Sequence, residues 1–548
     1  MTSQLQGKTF QIPSRIQKHA AHLMATHQLQ DIFSSRHFDG FSLSDMRALA
    51  VPIAVSAVVF LFSIILYRIY FHPLAQFPGP FMAKITGYWR TYQYSKGTWD
   101  RNILEIHKKY GRTVRIAPNE LAIVDEAALR TLYGHGTKAL KTKWYSVWDV
   151  PDTAPQLFSE LDKVHHGFLR KRLSSAYSMS SIMKYEAYIQ TCLDLLWTRL
   201  SRAAAVSPVV NMSEWANALA FDVIGELGYG EPLGHVAADA KDVGGLRGGI
   251  LSGFIMLSLL GNLPGRAFWV NNQVISKISA WLGGPTAFIG FRDWSEKKVK
   301  DRLDNLDSSQ REDLLSHFCR MKKGNGEPAS LGEILVEAMN LVGAGADTTS
   351  IGIRTCLYFT AMHPHVYKRV KEEVDQFYLE NNLTRPITYQ ETQELPYLKA
   401  VVKEATRILP SIVWQLPRHT PPNFSVRGQK VPQGTTVSIS PIAQNHDEEV
   451  FGADAAAFKP ERWMNDPARA KYMDTCLMTF GGNGPRMCIG RNVALVEMHT
   501  FIAQFIHHFD FEIVDKNKPW RVTTYWFAYQ HDLMMRIRVR PEFPVKQV

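Results

Sequence analysis

A single cysteine, Cys488, sits in the stretch FGGNGPRMCIG at residues 480–490, with Arg486 two positions before it and Gly490 two after. The helical pattern RNVALVEMHTFIAQFIHHF follows at once. Glycines permit close backbone approach and positive φ, while free loop amides and the start of the following helix stabilise a sulfur anion. The segment therefore has the chemistry to present one thiolate to a large cofactor. A structural cysteine beside a turn is the competing reading, and the loop alone leaves both open.

A second group lies in the longest helical pattern. It begins at Ser330, where SLGE makes a capping box with Glu333, and runs to Met362, just before His363-Pro364. Its middle reads LVGAGADTTS, in which Gly343 and Gly345 cost helix stability at roughly 1 kcal/mol each, beside Asp347 and Thr348. Such a thin spot admits a small ligand over the helix, with Thr348 bonding a carbonyl or water and Asp347 feeding protons. Alternatively, it serves a helix crossing that needs small residues.

Two charge clusters complete the reactive inventory. Glu404 and Arg407 stand at i, i+3 in YLKAVVKEATRILP, and AAFKPERW later offers Glu461 and Arg462. If Arg462 reaches back, Glu404, Arg407 and Arg462 close a partly buried network able to lock loops near Cys488. In VHHGFLRKRLSS, His166 and Arg170 share a helix face, with Lys171 and Arg172 beside them. These cations are either a solvated face or partners for carboxylates of a cofactor or docking protein.

The elements that must position these groups come from a chain of 548 residues, 45% hydrophobic and 11% aromatic, ample for a large core. Five scattered cysteines without CxxC spacing argue against a disulfide framework or zinc site and for a reducing compartment. The net charge of +11, without a run of five Lys/Arg, disfavours nucleic acid; an anionic membrane surface or an acidic partner accounts for it as well. Residues 48–67, ALAVPIAVSAVVFLFSIILY, carry no charge, and twenty such residues span about 30 Å of hydrocarbon. The expected organisation is a polar tail at 1–46, a transmembrane anchor at 47–68, a proline-stiffened hinge at 69–81 and one soluble catalytic body at 82–548. Arg47 and Arg68 flank the anchor and give no orientation. The apolar stretch at 254–270 is either core or a loop dipping into the bilayer surface. Helical spacing dominates residues 160–405, and short strand patterns cluster at VRIAPNELAIV, PNFSVRG, KVPQGTTVSIS and HDLMMRIRVR. No G-x-G-x-x-G follows a strand. A mainly α protein with a small β portion is expected.

In this order, AGADTT at 344–349, E-x-x-R at Glu404 and Arg407, F-x-P-E-R-W at 458–463 and G-x-R-x-C-x-G at 484–490 resemble the cytochrome P450 family over nearly the whole chain after the anchor. The HPLAQFPGP hinge and His166 resemble its membrane-bound fungal branch. The resemblance implies the cytochrome P450 fold behind one N-terminal transmembrane helix. It makes Cys488 the axial thiolate of haem b (iron protoporphyrin IX), Arg486 a partner of a haem propionate with His166, Arg170 and Arg418 as helpers, and Asp347 and Thr348 the proton-delivering pair. Glu404, Arg407 and Arg462 are implied to be structural. The implied reaction is a haem-thiolate monooxygenation, hydroxylating or epoxidising a hydrophobic small molecule with O2.

Its two electrons would come from NADPH, not bound by this chain, through a separate cytochrome P450 reductase, with cytochrome b5 as an accessory donor and Arg170 to Arg172 as a docking patch. The implied location is the endoplasmic reticulum membrane, single-pass, with the catalytic domain cytosolic. A fungal secondary metabolite is the first expectation for substrate; fatty acids, aromatic acids and xenobiotics are alternatives. The implied pocket walls are residues 145–148, 341–346, 410–414 and 526–528. A non-oxygenative rearrangement or dehydration is disfavoured because Asp347 and Thr348 are intact, and a haem-binding scaffold without turnover is the reading from a different class. One departure concerns Phe480: the family's loop has Phe seven residues before the cysteine, whereas here Gly481 holds that place, as though Asn483 or a neighbour were inserted.

Overall fold

A computed structural model describes residues 43–149, 154–265, 274, 286–306 and 310–541. Most of the expected polar tail, residues 1–42, lies outside the described residues. The chain divides into two compact units, Met1–Phe71 and His72–Val548.

The described residues of the first unit form one continuous helical segment. Helix α1 (Leu43–Leu66) continues into a π-helical turn, Tyr67–Phe71. Over Ala50–Phe71 the mean hydropathy is 2.5 and none of the segment is buried. Val51, Ile53, Phe60 and Phe62 stand on different sides and all are exposed, so the helix is apolar all round, as a membrane span requires. It is a candidate membrane anchor.

In the second unit the helices that bear on the site are α2 (Lys163–Ser174), α3 (Met212–Tyr229), α4 (Leu246–Gly261), α5 (Leu331–Met362), α6 (Pro396–Ile408), α7 (Pro467–Cys476) and α8 (Arg491–His508). Strands are short: β1 (Thr113–Ala117), β2 (Glu120–Ile123), β3 (Leu140–Lys141), β4 (Val209–Asn211), β5 (Arg418–His419), β6 (Ser425–Val426), β7 (Gln429–Lys430), β8 (Thr436–Ser438), β9 (Phe509–Ile513), β10 (Val522–Tyr525), β11 (Phe527–Gln530) and β12 (Met534–Val539). The largest sheet has the order β1-β2-β8-β5-β3, antiparallel except for β2 beside β8. A three-stranded sheet β4-β12-β9 and the hairpins β10-β11 and β6-β7 complete the β portion.

Helix α5 organises this unit. Ser330 and Glu333 form the reciprocal capping box, and the helix ends at His363, before the proline that opens the next one. It extends about 48 Å at 1.5 Å per residue. Helix α3, capped by Asn211 and closed by left-handed Gly230, crosses it closely. A Cβ on Gly228 of α3 would lie 2.7 Å from Leu341, and one on Gly345 of α5 would lie 2.8 Å from Ile224. A Cβ on Gly343 would meet Phe254 of α4 at 3.2 Å. Of the two readings of LVGAGADTTS, a helix crossing therefore accounts for both glycines.

The described part of the 254–270 stretch is also core on one face. Helix α4 packs Phe254 on Trp148 with ring centroids 5.6 Å apart, and Ser258 donates to the Tyr525 carbonyl at 3.0 Å.

Helix α8 is buried along most of its length and carries Glu497, which is fully buried with no partner on either carboxylate oxygen. Burial pushes its carboxyl from the ordinary 4.5 up to about 8. The folded state thus holds a proton that the unfolded chain releases, so this group's contribution is full below pH 4.5 and is lost as pH rises towards 8. Relative to wild type, Glu497→Gln is expected to gain stability with rising pH, by roughly 1.4 kcal/mol per unit between pH 5 and 7. Urea unfolding at three pH values checks this; a pH-independent difference would contradict it.

Candidate active site

The Cys488 loop is held from both ends. After α7, the Met478 amide donates to Asn445 Oδ1 at 2.8 Å, and the Cys488 amide donates to the Phe480 carbonyl at 2.9 Å. Gly481 and Gly482 both take positive φ, +84° and +85°. A Cβ on Gly484 would fall 1.8 Å from the Tyr133 carbonyl oxygen, so no other residue fits there. Exposed Asn483 donates to the carbonyls of Asp474 and Thr475, both at 3.2 Å. Asn483 thus lies on the outside of the loop. Phe480 still packs on the main core, with the Arg491 guanidinium 5.8 Å above its ring.

The Gly490 and Arg491 amides at the start of α8 favour the thiolate of Cys488. Burial raises its pKa, while those amides and the charges of Arg170 and Arg491 pull the other way. Yet Cys488 exposes surface, whereas the other four cysteines are buried. A deeply placed group with open surface faces an interior space.

Beside the loop, a cavity of about 460 Å3 is lined by Lys141, His166, Arg170, Arg418 and Arg486, among others. His166 and Arg170 come from one face of α2. Lys141 of β3 stands in register with Arg418 of β5. Arg486 donates to the Glu160 carbonyl at 2.5 Å, Arg170 to the Met487 carbonyl at 2.7 Å, and Arg418 to the Tyr145 hydroxyl at 2.5 Å. Among the described residues no carboxylate forms an ion pair with Lys141, Arg170, Arg418 or Arg486. Burial and then the charges of Arg486, Lys141, Arg170 and Arg418 press His166 down to about 3. Burial and Arg418 lower Arg486 to about 10, and burial with both arginines drives Lys141 well below its ordinary value. The pocket is therefore strongly positive and suited to an anion. Arg172, by contrast, pairs with Glu333 at 2.7 Å. Lys141 is absent from the sequence reading, because only the β3–β5 pairing brings it here.

On α5, Thr348 donates to the Ala344 carbonyl at 2.7 Å, and Ala344 is exposed in the middle of an otherwise largely buried helix. Ser411, after α6, donates to the Thr348 carbonyl at 2.7 Å. Asp347 is buried; Asn217 of α3 donates to its Oδ1 at 2.9 Å, and Oδ2 has no partner. Asn217 in turn accepts from Arg247 at 3.1 Å, and Arg247 reaches half-exposed Glu214 at 3.3 Å. Burial raises the Asp347 carboxyl, against the pull of Asn217, Arg354 and Arg247. A polar chain therefore links a surface carboxylate to a buried acid. Asn217 and Arg247 are 130 and 100 positions from Asp347, in helices whose crossing no local pattern announces.

Glu404 of α6 accepts from Arg407 through both oxygens at 2.8 Å, from Arg462 at 2.8 Å and from the Trp463 indole at 2.9 Å. Burial opposes its ionisation, but the two guanidiniums hold the carboxyl below its ordinary value. Arg407 also donates to the carbonyls of Asn445 and Ala455, each at 2.7 Å. Asn445 is the residue that fixes Met478, so the network reaches the cysteine loop in two hydrogen-bonded steps.

Trp144, Trp148, Phe158 and Trp526 form an aromatic cluster with centroid separations from 5.2 to 6.4 Å. Trp526 sits at φ +100° in the tip of the β10–β11 hairpin. For a bulky residue this backbone costs about 1–3 kcal/mol and is retained where surroundings fix it.

A family model described as Cytochrome P450 matches residues 77–534. The chain belongs to the cytochrome P450 family. Among its relatives, the cytochrome P450 monooxygenase gsfF of Penicillium aethiopicum is 31% identical over 498 residues, covering 89% of this chain and 97% of its own. Pisatin demethylase of Fusarium vanettenii is 29% identical over 480 residues, covering 87% and 92%. The monooxygenase hepC of Aspergillus oryzae is 29% identical over 489 residues, covering 84% and 92%. The protein is an enzyme of the P450 monooxygenase class, which uses haem. The residues of this P450 fit that group: an interior-facing thiol with two amide donors, and a cavity of unneutralised cations suited to two carboxylates.

Proposed function

We propose that this P450 inserts one oxygen atom of O2 into a hydrophobic small molecule, by hydroxylation or epoxidation, within fungal secondary metabolism. The observation that carries the reading is the Cys488 thiol, facing an interior space at the start of α8 beside a cation-lined cavity with no carboxylate of its own. Bound through Cys488, haem supplies oxygen activation and hydrogen abstraction from the substrate, with two electrons and two protons consumed per turnover.

The chain's own contribution is placement. The Gly490 and Arg491 amides hold the sulfur as an anion. Arg486, with His166, Arg170 and Arg418, pairs the propionates. Asp347, with Oδ2 free of partners, turns to pass a proton towards Thr348, while Asn217 and Arg247 hold its other oxygen and connect it to the surface. The aromatic cluster excludes water and receives an apolar substrate. Intact Asp347 and Thr348 favour oxygenation over rearrangement. Electrons come from NADPH through a separate reductase, with cytochrome b5 as an accessory donor; of the α2 cations expected to dock it, Arg170 lines the cavity and Arg172 pairs with Glu333, which leaves exposed Lys171. Helix α1 anchors the enzyme in the endoplasmic reticulum membrane, with its catalytic unit in the cytosol.

The ferrous–CO spectrum of purified protein is the direct test: a thiolate-type spectrum is expected, and an imidazole-type one, or failure to retain haem, would sink the reading. Asp347→Asn is expected to keep that spectrum but slow product formation by about 10²-fold, the usual worth of a positioned general acid. Reductase-coupled turnover measures it; an unchanged rate removes Asp347 from proton delivery.

A further inference from the structure

Lys141 is buried in the wall of the cationic cavity. An ammonium carries three hydrogen-bond donors, and among the described residues the Phe158 carbonyl is the one acceptor that Lys141 reaches. Ring faces make up much of its other surroundings, Tyr145 at 4.6 Å and Phe158 at 5.2 Å. In the β3–β5 pair it stands directly opposite Arg418. Residues so placed share one face of the sheet, and like charges there repel.

The charges that face it from the other elements are mostly of its own sign. Arg486 of the cysteine loop and Lys163, His166, Arg170 and Lys171 of α2 line the same cavity. The two carboxylates whose fields reach the cluster, Glu160 and Asp162, are committed elsewhere. Glu160 takes the His165 ring and the Asp162 amide, and Asp162 caps α2 through the His165 amide at 2.7 Å. Burial raises the phenols of Tyr133 and Tyr145, so neither supplies an anion. A guanidinium keeps its proton under such pressure, whereas a buried amine gives it up readily. Burial, and then Arg486 and Arg418, drive Lys141 well below the ordinary 10.5, with Glu160 as the opposing charge. Arg486, pressed by burial and Arg418, stays at about 10.

We propose that Lys141 is a further partner of the cofactor's carboxylates and the point at which loading takes up a proton: a neutral amine among the arginines, an ammonium once two carboxylates enter the cavity. The step is R–NH2 + H+ → R–NH3+, with the proton drawn from solvent and no electron moved. It rests on the haem reading of this cavity and adds to it the group that exchanges charge. The carboxylates give the ammonium an anionic partner, and the cross-strand pair with Arg418 passes from mutual repulsion to a shared attraction. At pH values low enough to protonate the free amine, both states hold the proton and pH has no effect through this group. Above that range the loaded enzyme holds one proton more, so cofactor retention weakens as pH rises, by up to about tenfold per unit.

The test starts from the haem-loaded enzyme and transfers its haem to excess apomyoglobin in a pH-stat at about pH 8 and 9, where an imidazole of ordinary pKa is neutral. Wild type is compared with Lys141→Arg, which keeps its charge throughout, and with Lys141→Met, which never carries one. The proton returning to Cys488 and those exchanged by myoglobin are common to all three and cancel. Wild type is expected to release about one proton more per haem than either variant. Lys141→Met is expected to lose haem about tenfold faster than Lys141→Arg, because it lacks a charged partner for the carboxylates. Equal proton counts, as a lysine that only packs on Tyr145 and Phe158 would give, overturn the proposal. So does equal haem loss from the Met and Arg variants. Where one substitution disturbs folding, the other still supplies the reference count. The ferrous–CO spectrum taken before transfer separates the failures: a thiolate-type spectrum with equal counts sinks the Lys141 assignment alone, whereas an imidazole-type spectrum, or no retained haem, sinks the monooxygenase reading beneath it.

Discussion

Cys488→Ser is expected to abolish the thiolate-type ferrous–CO spectrum and to take turnover below detection. The reason lies in what surrounds the sulfur. Two amides and two arginines are arranged around Cys488 to favour an anion, and a serine hydroxyl stays neutral in the same place. No other thiol can substitute, because Cys192, Cys319, Cys356 and Cys476 are all buried. The cationic cavity is untouched by the substitution, so haem content should fall less than the spectrum does. Comparing haem per protein with the CO difference spectrum on one preparation reads both quantities. A variant that kept the thiolate spectrum would remove Cys488 from the iron.

Arg407→Leu is the substitution expected to cost most in stability. Both Arg407 and Glu404 are fully buried. Removing the guanidinium leaves the Glu404 carboxylate with only part of its compensation and strips the Asn445 and Ala455 carbonyls of a donor. Breaking a buried pair from one side costs about 3–5 kcal/mol, against a total of about 5–15 kcal/mol for a folded protein. Folded yield and the urea midpoint should drop together. The loop should loosen as well, since Asn445 links Arg407 to Met478. Arg407→Lys, keeping charge but not the fork, should fall between wild type and Leu. A Leu variant with wild-type midpoint would mean that the network is ornamental.

Helix α5 was legible almost to the residue, because its capping box and its stop before His363-Pro364 are local signals. The meaning of Gly343 and Gly345 was not. Two uses fit the same letters, and Ile224 and Phe254, from other helices, decide for close crossing. The cysteine loop and the Glu404–Arg407–Arg462 network were readable from residue types and spacing, since hydrogen-bonding capacity is written in them. Trp463 and Asn445, which tie that network to the loop, were not, nor were Lys141 and Asn217; each acts through a partner distant in the chain. The β10–β11 hairpin escaped notice because its strands are short and show no clean alternation, although Trp526 at its tip was expected in the pocket.

The crowding of Lys141, His166, Arg418 and Arg486 reaches beyond chemistry to how much enzyme a cell holds. Lys141, Arg418 and Arg486 stand together with no ion-paired carboxylate among the described residues and repel one another, while His166 is neutral; a dianion bound only by the folded state shifts the folding equilibrium by mass action. A chain synthesised when haem is scarce would spend more time open to proteases, so steady-state abundance would follow the supply of the prosthetic group as well as the rate of translation.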